Sequence, residues 1–192
     1  MNWADFPGHQ IVLETARTVL RPFRESDFAI ALPYYGDLEL RHAIDANATT
    51  VDLAYLRSAG LYMAEHGLLF AIDLKAEART IGEVCFEHMN LARAAVTPGE
   101  RVFRVPIGIW DKSLWGRGLG GEVLDALLEF GFGEQRADRI CAMDVGRENR
   151  RSRGLFESRG FQVAREVTPD TVDLELSRGV AQARRNHHDL FA

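Results

Sequence analysis

Trp115-Gly116-Arg117-Gly118-Leu119-Gly120-Gly121-Glu122 decides how the rest of this chain is read. Its glycines can take positive φ and let a ligand come close to the main chain. On one side is an apolar, strand-like run ending at Trp110. On the other is an amphipathic run over residues 120–132, with Val123, Leu124, Leu127, Leu128 and Gly131 on one helical stripe. Consecutive N–H groups at such a helix start face one concavity and favour an anion. Arg117 adds a full positive charge. A pyrophosphate fits this chemistry; so does a tight turn whose glycines serve only backbone shape. Two other phosphate loops do not fit. A dinucleotide fingerprint wants three spaced glycines early in a strand-helix-strand unit, whereas this loop comes late, after a run of strands. A nucleotide P-loop would end in Gly-Lys-Ser or Gly-Lys-Thr, which is absent.

Working outward, residues 17–23 read as a short strand stopped by Pro22 and Glu25-Ser26-Asp27, with Ser26 placed to cap a helix starting near Asp27. Residues 51–66 carry Leu53, Leu56, Leu61 and Met63 at helical spacing, with Thr50 or Asp52 near the cap and Gly67 just past the end. Strands are predicted over residues 68–74, 80–89, 101–110 and 139–145. A helix over 149–158 should turn Leu155 inward. A closing hairpin over 161–167 and 171–176 turns at Thr168-Pro169-Asp170. Strands without intervening helices suggest antiparallel pairing, and the later strand-helix-strand suggests one parallel step. The expected fold is α+β (mixed α/β), with a single mixed, mostly antiparallel sheet and helices on both faces. Residues 1–14 form a lead-in, 15–177 the domain and 178–192 a polar tail.

The chain of 192 residues has a net charge of −5, which argues against general nucleic-acid binding and suits a basic substrate. No apolar run reaches the roughly 20 residues of a membrane helix, so no membrane partner is expected. The first ten residues lack Lys, Arg and an apolar block, so a secretory signal is not expected and a cytoplasmic location follows by default. Cys85 and Cys141 sit in strand-like runs and read as buried free thiols without metal-ligand spacing. No metal is expected, and the protein is expected to be a monomer or homodimer.

Ile107-Gly108-Ile109-Trp110 followed by Leu114 through Leu124 resembles the coenzyme A motif of the GNAT superfamily of N-acetyltransferases. The Trp-Gly-basic-Gly form resembles its Rim-type branch, which includes ribosomal-protein N-acetyltransferases. Glu148-Asn149-Arg150-Arg151-Ser152 with Leu155-Phe156-Glu157-Ser158-Arg159-Gly160-Phe161 resembles the second family motif, and Leu20-Arg21-Pro22-Phe23 with Ser26-Asp27 the branch's opening. The resemblance implies a GNAT fold with a splayed central strand pair. It also implies acetyl transfer from acetyl-CoA to a primary amine: a protein N-terminus, amino acid, polyamine or other small amine.

By the same resemblance, the amides of Arg117, Gly118, Leu119, Gly120 and Gly121 hold the pyrophosphate. Main-chain groups at Ile109 and Trp110 meet the pantetheine arm, as does Asn149, whose residue type equally suits a helix N-cap. Ser152 matches the position near the thioester sulfur, and equally could be a helix-surface serine. One or two of Arg147, Arg150, Arg151, Arg153 and Arg159 could meet the 3′-phosphate, or the run could be a solvated face. Phe156 departs from the pattern, since many members have a tyrosine general acid there; Ser152 or water would then protonate the sulfur. This departure keeps a second reading open, a catalytically silent coenzyme A-binding regulatory module. For the base, period-two alternation puts Ile81, Glu83, Cys85 and Glu87 on one strand face. A carboxylate between Ile81 and Cys85 would be costly if that face were dry, so Glu83 is the first candidate base or substrate anchor, though it could be an exposed strand glutamate. Glu87 and His88 come next. The acceptor pocket is expected to draw on residues 27–67 and the closing hairpin, with Tyr34, Tyr35, Tyr55, Tyr62, Asp37, Glu39 and Asp45 available.

Overall fold

The computed structural model describes residue 3, residues 8–44 and residues 50–189, with side chains through residue 184. Among the described residues nine strands build the sheet, and it is the single mixed, mostly antiparallel sheet that the sequence predicts. The chain divides into two compact units. One comprises the residues up to Glu87 together with Pro106–Leu127; the other comprises His88–Val105 with the residues from Leu128 onward.

In the first unit, β1 (Leu13–Glu14), β2 (Thr18–Pro22), β3 (Gly67–Leu74) and β4 (Arg79–His88) pair antiparallel in that order. Three helices lie between β2 and β3: α1 (Glu25–Tyr35), α2 (Leu38–Ala43) and α3 (Leu53–His66). Ser26 is not the cap of α1; it lies inside the first turn. The Asp27 carboxylate reaches back instead and accepts from the Arg24 amide at 2.7 Å. A carboxylate is the stronger acceptor, and this one also takes both arms of the Arg21 guanidinium at 2.8 and 2.9 Å. Asp52 caps α3 through the Tyr55 amide at 2.8 Å. The sequence reading missed α2, whose six residues are too few to show a stripe; Asp37 caps it through Glu39 and Leu40. Phe28, Leu40, Leu56, Leu69 and Trp110 share the core of this unit. Gly82 allows the close pairing of β4 with the segment 107–109, because a Cβ there would lie 2.3 Å from the Gly108 carbonyl oxygen.

The predicted strand over 101–110 is two strands, β5 (Val102–Arg104) and β6 (Ile107–Ile109). β5 runs parallel to β7 (Arg139–Gly146), and Val105 donates the last bond, to the Cys141 carbonyl at 3.0 Å. Pro106 has no N–H to continue that ladder. Its carbonyl instead accepts from the Cys85 amide at 3.0 Å, and β6 pairs antiparallel with β4. The run therefore changes partners at Val105-Pro106.

Helix α4 (Leu119–Gly133) connects β6 to β7, and α5 (Arg150–Glu157) follows. In the second unit β7 pairs with β9 (Thr171–Ser177), which pairs with β8 (Gln162–Glu166). The tail is helical as α6 (Arg178–Asp189). Leu155 is not the inward residue of α5. Phe156 is, at 2% exposed, with its ring 5.1 Å from that of Phe161. Cys85 and Cys141 are buried free thiols, and burial pushes the Cys141 thiol up to about 12.

Candidate active site

The glycine loop begins where β6 ends. Trp115 folds back and its indole Nε1 donates to the Ile109 carbonyl at 2.8 Å, tying the loop's start to the strand's end. Leu114 and Leu119 are buried on either side of the exposed Gly116, Arg117 and Gly118. Gly116 and Gly118 have φ of +73° and +82°, conformations that side-chain-bearing residues rarely adopt. Helix α4 starts directly after, so its first amide N–H groups lack intrahelical partners and face outward from the loop. Glu122, in that first turn, is anchored from β2's side of the unit. Its Oε1 accepts from Arg17 Nε at 2.6 Å, and its Oε2 from the Thr15 hydroxyl at 3.0 Å and the Arg17 amide at 3.1 Å. Burial would raise this carboxyl, but the bonds from Arg17 and Thr15 outweigh it and hold it below the ordinary glutamate value. Nothing local in the sequence marks Thr15 or Arg17, which lie more than a hundred residues from their partner. Positive-φ glycines, free first-turn amides and nearby Arg17 and Arg117 form a cradle that fits a pyrophosphate.

Strand parity sorts the two main-chain candidates of β6. The Trp110 amide donates to the Ile81 carbonyl at 2.8 Å, so it is already engaged with β4. Gly108 pairs with Glu83 in the same register. In an antiparallel ladder alternate residues turn their N–H and C=O to opposite sides. The main-chain groups of Ile107 and Ile109 therefore point away from β4. Of the two expected contacts only Ile109 keeps its N–H for a ligand; Trp110 contributes a buried side chain instead.

Glu83 lines a cavity of about 180 Å³ with Phe28, Tyr35, Ile44, Leu56, Met63 and Gly108. It is part-buried and accepts a short hydrogen bond from the Tyr35 hydroxyl. Burial raises the Glu83 carboxyl above the ordinary value, while Tyr35 and the Trp110 indole act in the opposite direction by favouring its charged form. Tyr35 in turn is pushed well up, first by burial and then by the charge of Glu83. The Trp110 indole beside them is 1% exposed. The sequence pattern singled out Glu83 but could not connect it to Tyr35, 48 residues away.

The other acceptor-pocket candidates divide. Tyr35 and Tyr55 line the cavity. Tyr34 packs its ring 6.1 Å from Trp110, and Tyr62 stacks on His66. Asp37 and Glu39 are bound to Lys112 at 2.6 and 2.9 Å. Asp45 lies outside the described residues. Glu87 is fully buried, and exposed His88 stacks on Phe103.

In the second unit, Asn149 caps α5, its side-chain oxygen accepting from the Ser152 amide at 3.1 Å. Ser152 is part-buried in the first turn. Phe156 belongs to the core and has no proton to give. Arg147 pairs with Glu166 at 3.1 Å and Arg153 pairs with Glu157, so part of the basic run is already neutralised. Among the described residues no group of His, Cys, Asp and Glu could hold a metal ion, and no helix is long and apolar enough to cross a membrane.

Residues 17–162 match the family described as acetyltransferase (GNAT) domain. No curated protein matches the chain. Among solved structures, an aminoglycoside acetyltransferase, AAC(6')-Ib, in complex with coenzyme A aligns with a TM-score of 0.71 at 21% identity, covering 88% of this chain and 99% of that one. RimJ of Mycobacterium smegmatis in complex with CoA-disulfide aligns with a TM-score of 0.65 at 19% identity, covering 98% of both chains. An acetyltransferase of the GNAT family from Bacillus anthracis gives 0.67 at 18% identity, over 88% and 99%. At these identities the likeness to solved structures is one of fold.

Proposed function

Since the chain belongs to the acetyltransferases built on the GNAT domain, we propose that it moves the acetyl group of acetyl-CoA onto a primary amine by direct attack, with Glu83 as base. The observation that carries this reading is Glu83 itself, a carboxylate held by Tyr35 in a small, largely apolar cavity and paired in register with Gly108 of β6. Acetyl-CoA supplies a thioester whose carbonyl carbon forms a C–N bond to the amine as its C–S bond breaks, the electron pair leaving on sulfur, which takes up one proton.

The chain's residues serve that exchange in turn. Arg117 and the amides through Gly121 hold the pyrophosphate, since unpaired N–H groups and a guanidinium stabilise two adjacent negative charges. The Ile109 N–H, turned away from β4, donates to the carbonyl oxygen as it gains charge. An alkylamine with a pKa near about 10 is mostly protonated at neutral pH, so the attacking nitrogen must lose a proton. Glu83 takes it; a carboxyl raised by burial is a better base than one in water. Asn149 and Ser152 carry the parts that the family motif assigns them, a contact to the pantetheine arm and the proton for the sulfur. Phe156 cannot give that proton, so Ser152 or water does. The order of the motifs favours the Rim-type branch, and residues 15–177 are the acyltransferase domain. The acceptor, in this reading, is a small amine or a peptide N-terminus.

Incubation with acetyl-CoA and a panel of amines, followed by mass spectrometry, tests the reading. A mass gain of one acetyl group on an amine, lost in Glu83→Gln, is expected. Thermal stabilisation by coenzyme A without any acetylated product would overturn it in favour of a catalytically silent binding module.

A further inference from the structure

The Glu83 cavity has a composition that selects among amines. Its described lining is apolar or aromatic apart from tyrosine hydroxyls and a single carboxylate, Glu83. The other carboxylate whose charge acts on Glu83 is Asp27, which is buried and already bound by both arms of Arg21. The acidic residues of α2's start, Asp37 and Glu39, are not part of the described lining and are bound to Lys112. One negative charge can compensate one ammonium; a second ammonium drawn in among these apolar side chains would stay unpaired at high cost. The volume is also limiting. An apolar cavity of roughly 150 Å³ accommodates benzene, and this pocket, partly open to solvent, offers about 180 Å³, which suits one ring or a branched aliphatic group.

We propose that the acceptor is a monoamine carrying one compact apolar group, with the ammonium at Glu83 and the apolar group among Phe28, Ile44, Leu56 and Met63. This rests on the reading of Glu83 as the group that meets the acceptor. Polyamines and other polycations are disfavoured by charge, and small polar amines gain nothing from the apolar wall. Tyr35 is a positioning residue, fixing the carboxylate by its hydroxyl. Ala59 on α3 sets the size limit: it lines the cavity and is part-exposed on a helix where a longer side chain is tolerated.

Glycinamide, leucinamide and phenylalaninamide carry the same charge and differ in the apolar group, so they make the test, with spermidine as the polycation. Burial of a leucine or phenylalanine side chain is worth roughly 1.5–3 kcal/mol, equivalent to a preference of about 10- to 150-fold. Leucinamide and phenylalaninamide should exceed glycinamide and spermidine by at least about tenfold, first in binding measured calorimetrically without acetyl-CoA and then in kcat/KM. Ala59→Leu should collapse the preference for phenylalaninamide over glycinamide to within about threefold. Equal binding of glycinamide and leucinamide, tighter binding of spermidine, or no binding of any of them overturns the proposal. Selective binding of leucinamide without acetyl transfer to it would uphold this pocket and defeat the catalytic reading instead.

Discussion

Residues 115–122 offer a ligand their backbone, whereas the cavity at Glu83 offers side chains drawn from α1, α3, β4 and β6. In the loop the distinctive feature is conformation: Gly116 and Gly118 hold positive φ, and under the proposed function this aims main-chain amides at an anion. In the cavity the backbone is ordinary strand and helix, and the distinctive feature is one carboxylate whose proton affinity a neighbouring phenol and indole influence. The first design tolerates change in side chain and fails on change in backbone freedom. The second should do the reverse.

The sharpest way to break this contrast is Glu83→Gln. Loss of a general base costs on the order of 10²- to 10⁴-fold in rate, so kcat/KM for acetyl transfer should fall by that much while coenzyme A affinity measured by calorimetry is retained. A parallel loss of affinity would mean that the two regions are not separable in function. Gly118→Ala probes the other side. Its Cβ would meet only the tip of the Arg17 side chain at 3.3 Å, so the cost is conformational. Forcing a side chain into this region costs about 1–2 kcal/mol, and an exposed loop can escape that strain until a ligand demands its shape. Coenzyme A should bind roughly tenfold more weakly, with little change in melting temperature and with the chemical step at saturation preserved.

Tyr35→Phe sharpens the cavity side. The proton on Glu83 must be absent for the base to work, so activity rises with pH through the Glu83 carboxyl's raised value. The Tyr35 hydroxyl favours the charged form; without it, that acid limb should move to higher pH, with a loss of only a few-fold at the plateau. The pH profile of kcat/KM distinguishes this from general loosening. The smallest effect concerns stability. A carboxyl whose value is raised in the folded state stabilises the fold below the unfolded value near 4.5, and that contribution is lost as pH rises through the folded value. Glu83→Gln removes the loss, so its melting temperature relative to the parent should be higher at pH 7 than at pH 4, read by thermal unfolding at both.

Much of the fold was legible because its signals are local. The β5–α4–β7 step, the cap at Asp52, the hairpin of β8 and β9 and the helix after the glycine loop each follow from a few adjacent residues. The departures have equally local but competing causes. Ser26 and Asp27 both suit a cap, and the carboxylate prevails because it also binds Arg21. Pro106 divides a run that apolar content alone would keep whole. Leu155 and Phe156 are both apolar, and only packing against Phe161 decides which turns inward.

The sequence by itself determined the family and the glycine loop before α4, because glycine spacing acts on the backbone where it stands and survives without knowledge of distant residues. Tertiary structure alone decided that Trp110's amide is spent on Ile81, that Glu122 is held by Thr15 and Arg17, and that Glu83 meets Tyr35 inside a cavity of limited size. Those pairings join residues tens to a hundred positions apart. Charge, proton affinity and shape at such a site depend on which groups come within a few ångströms, and chain order does not carry that distance.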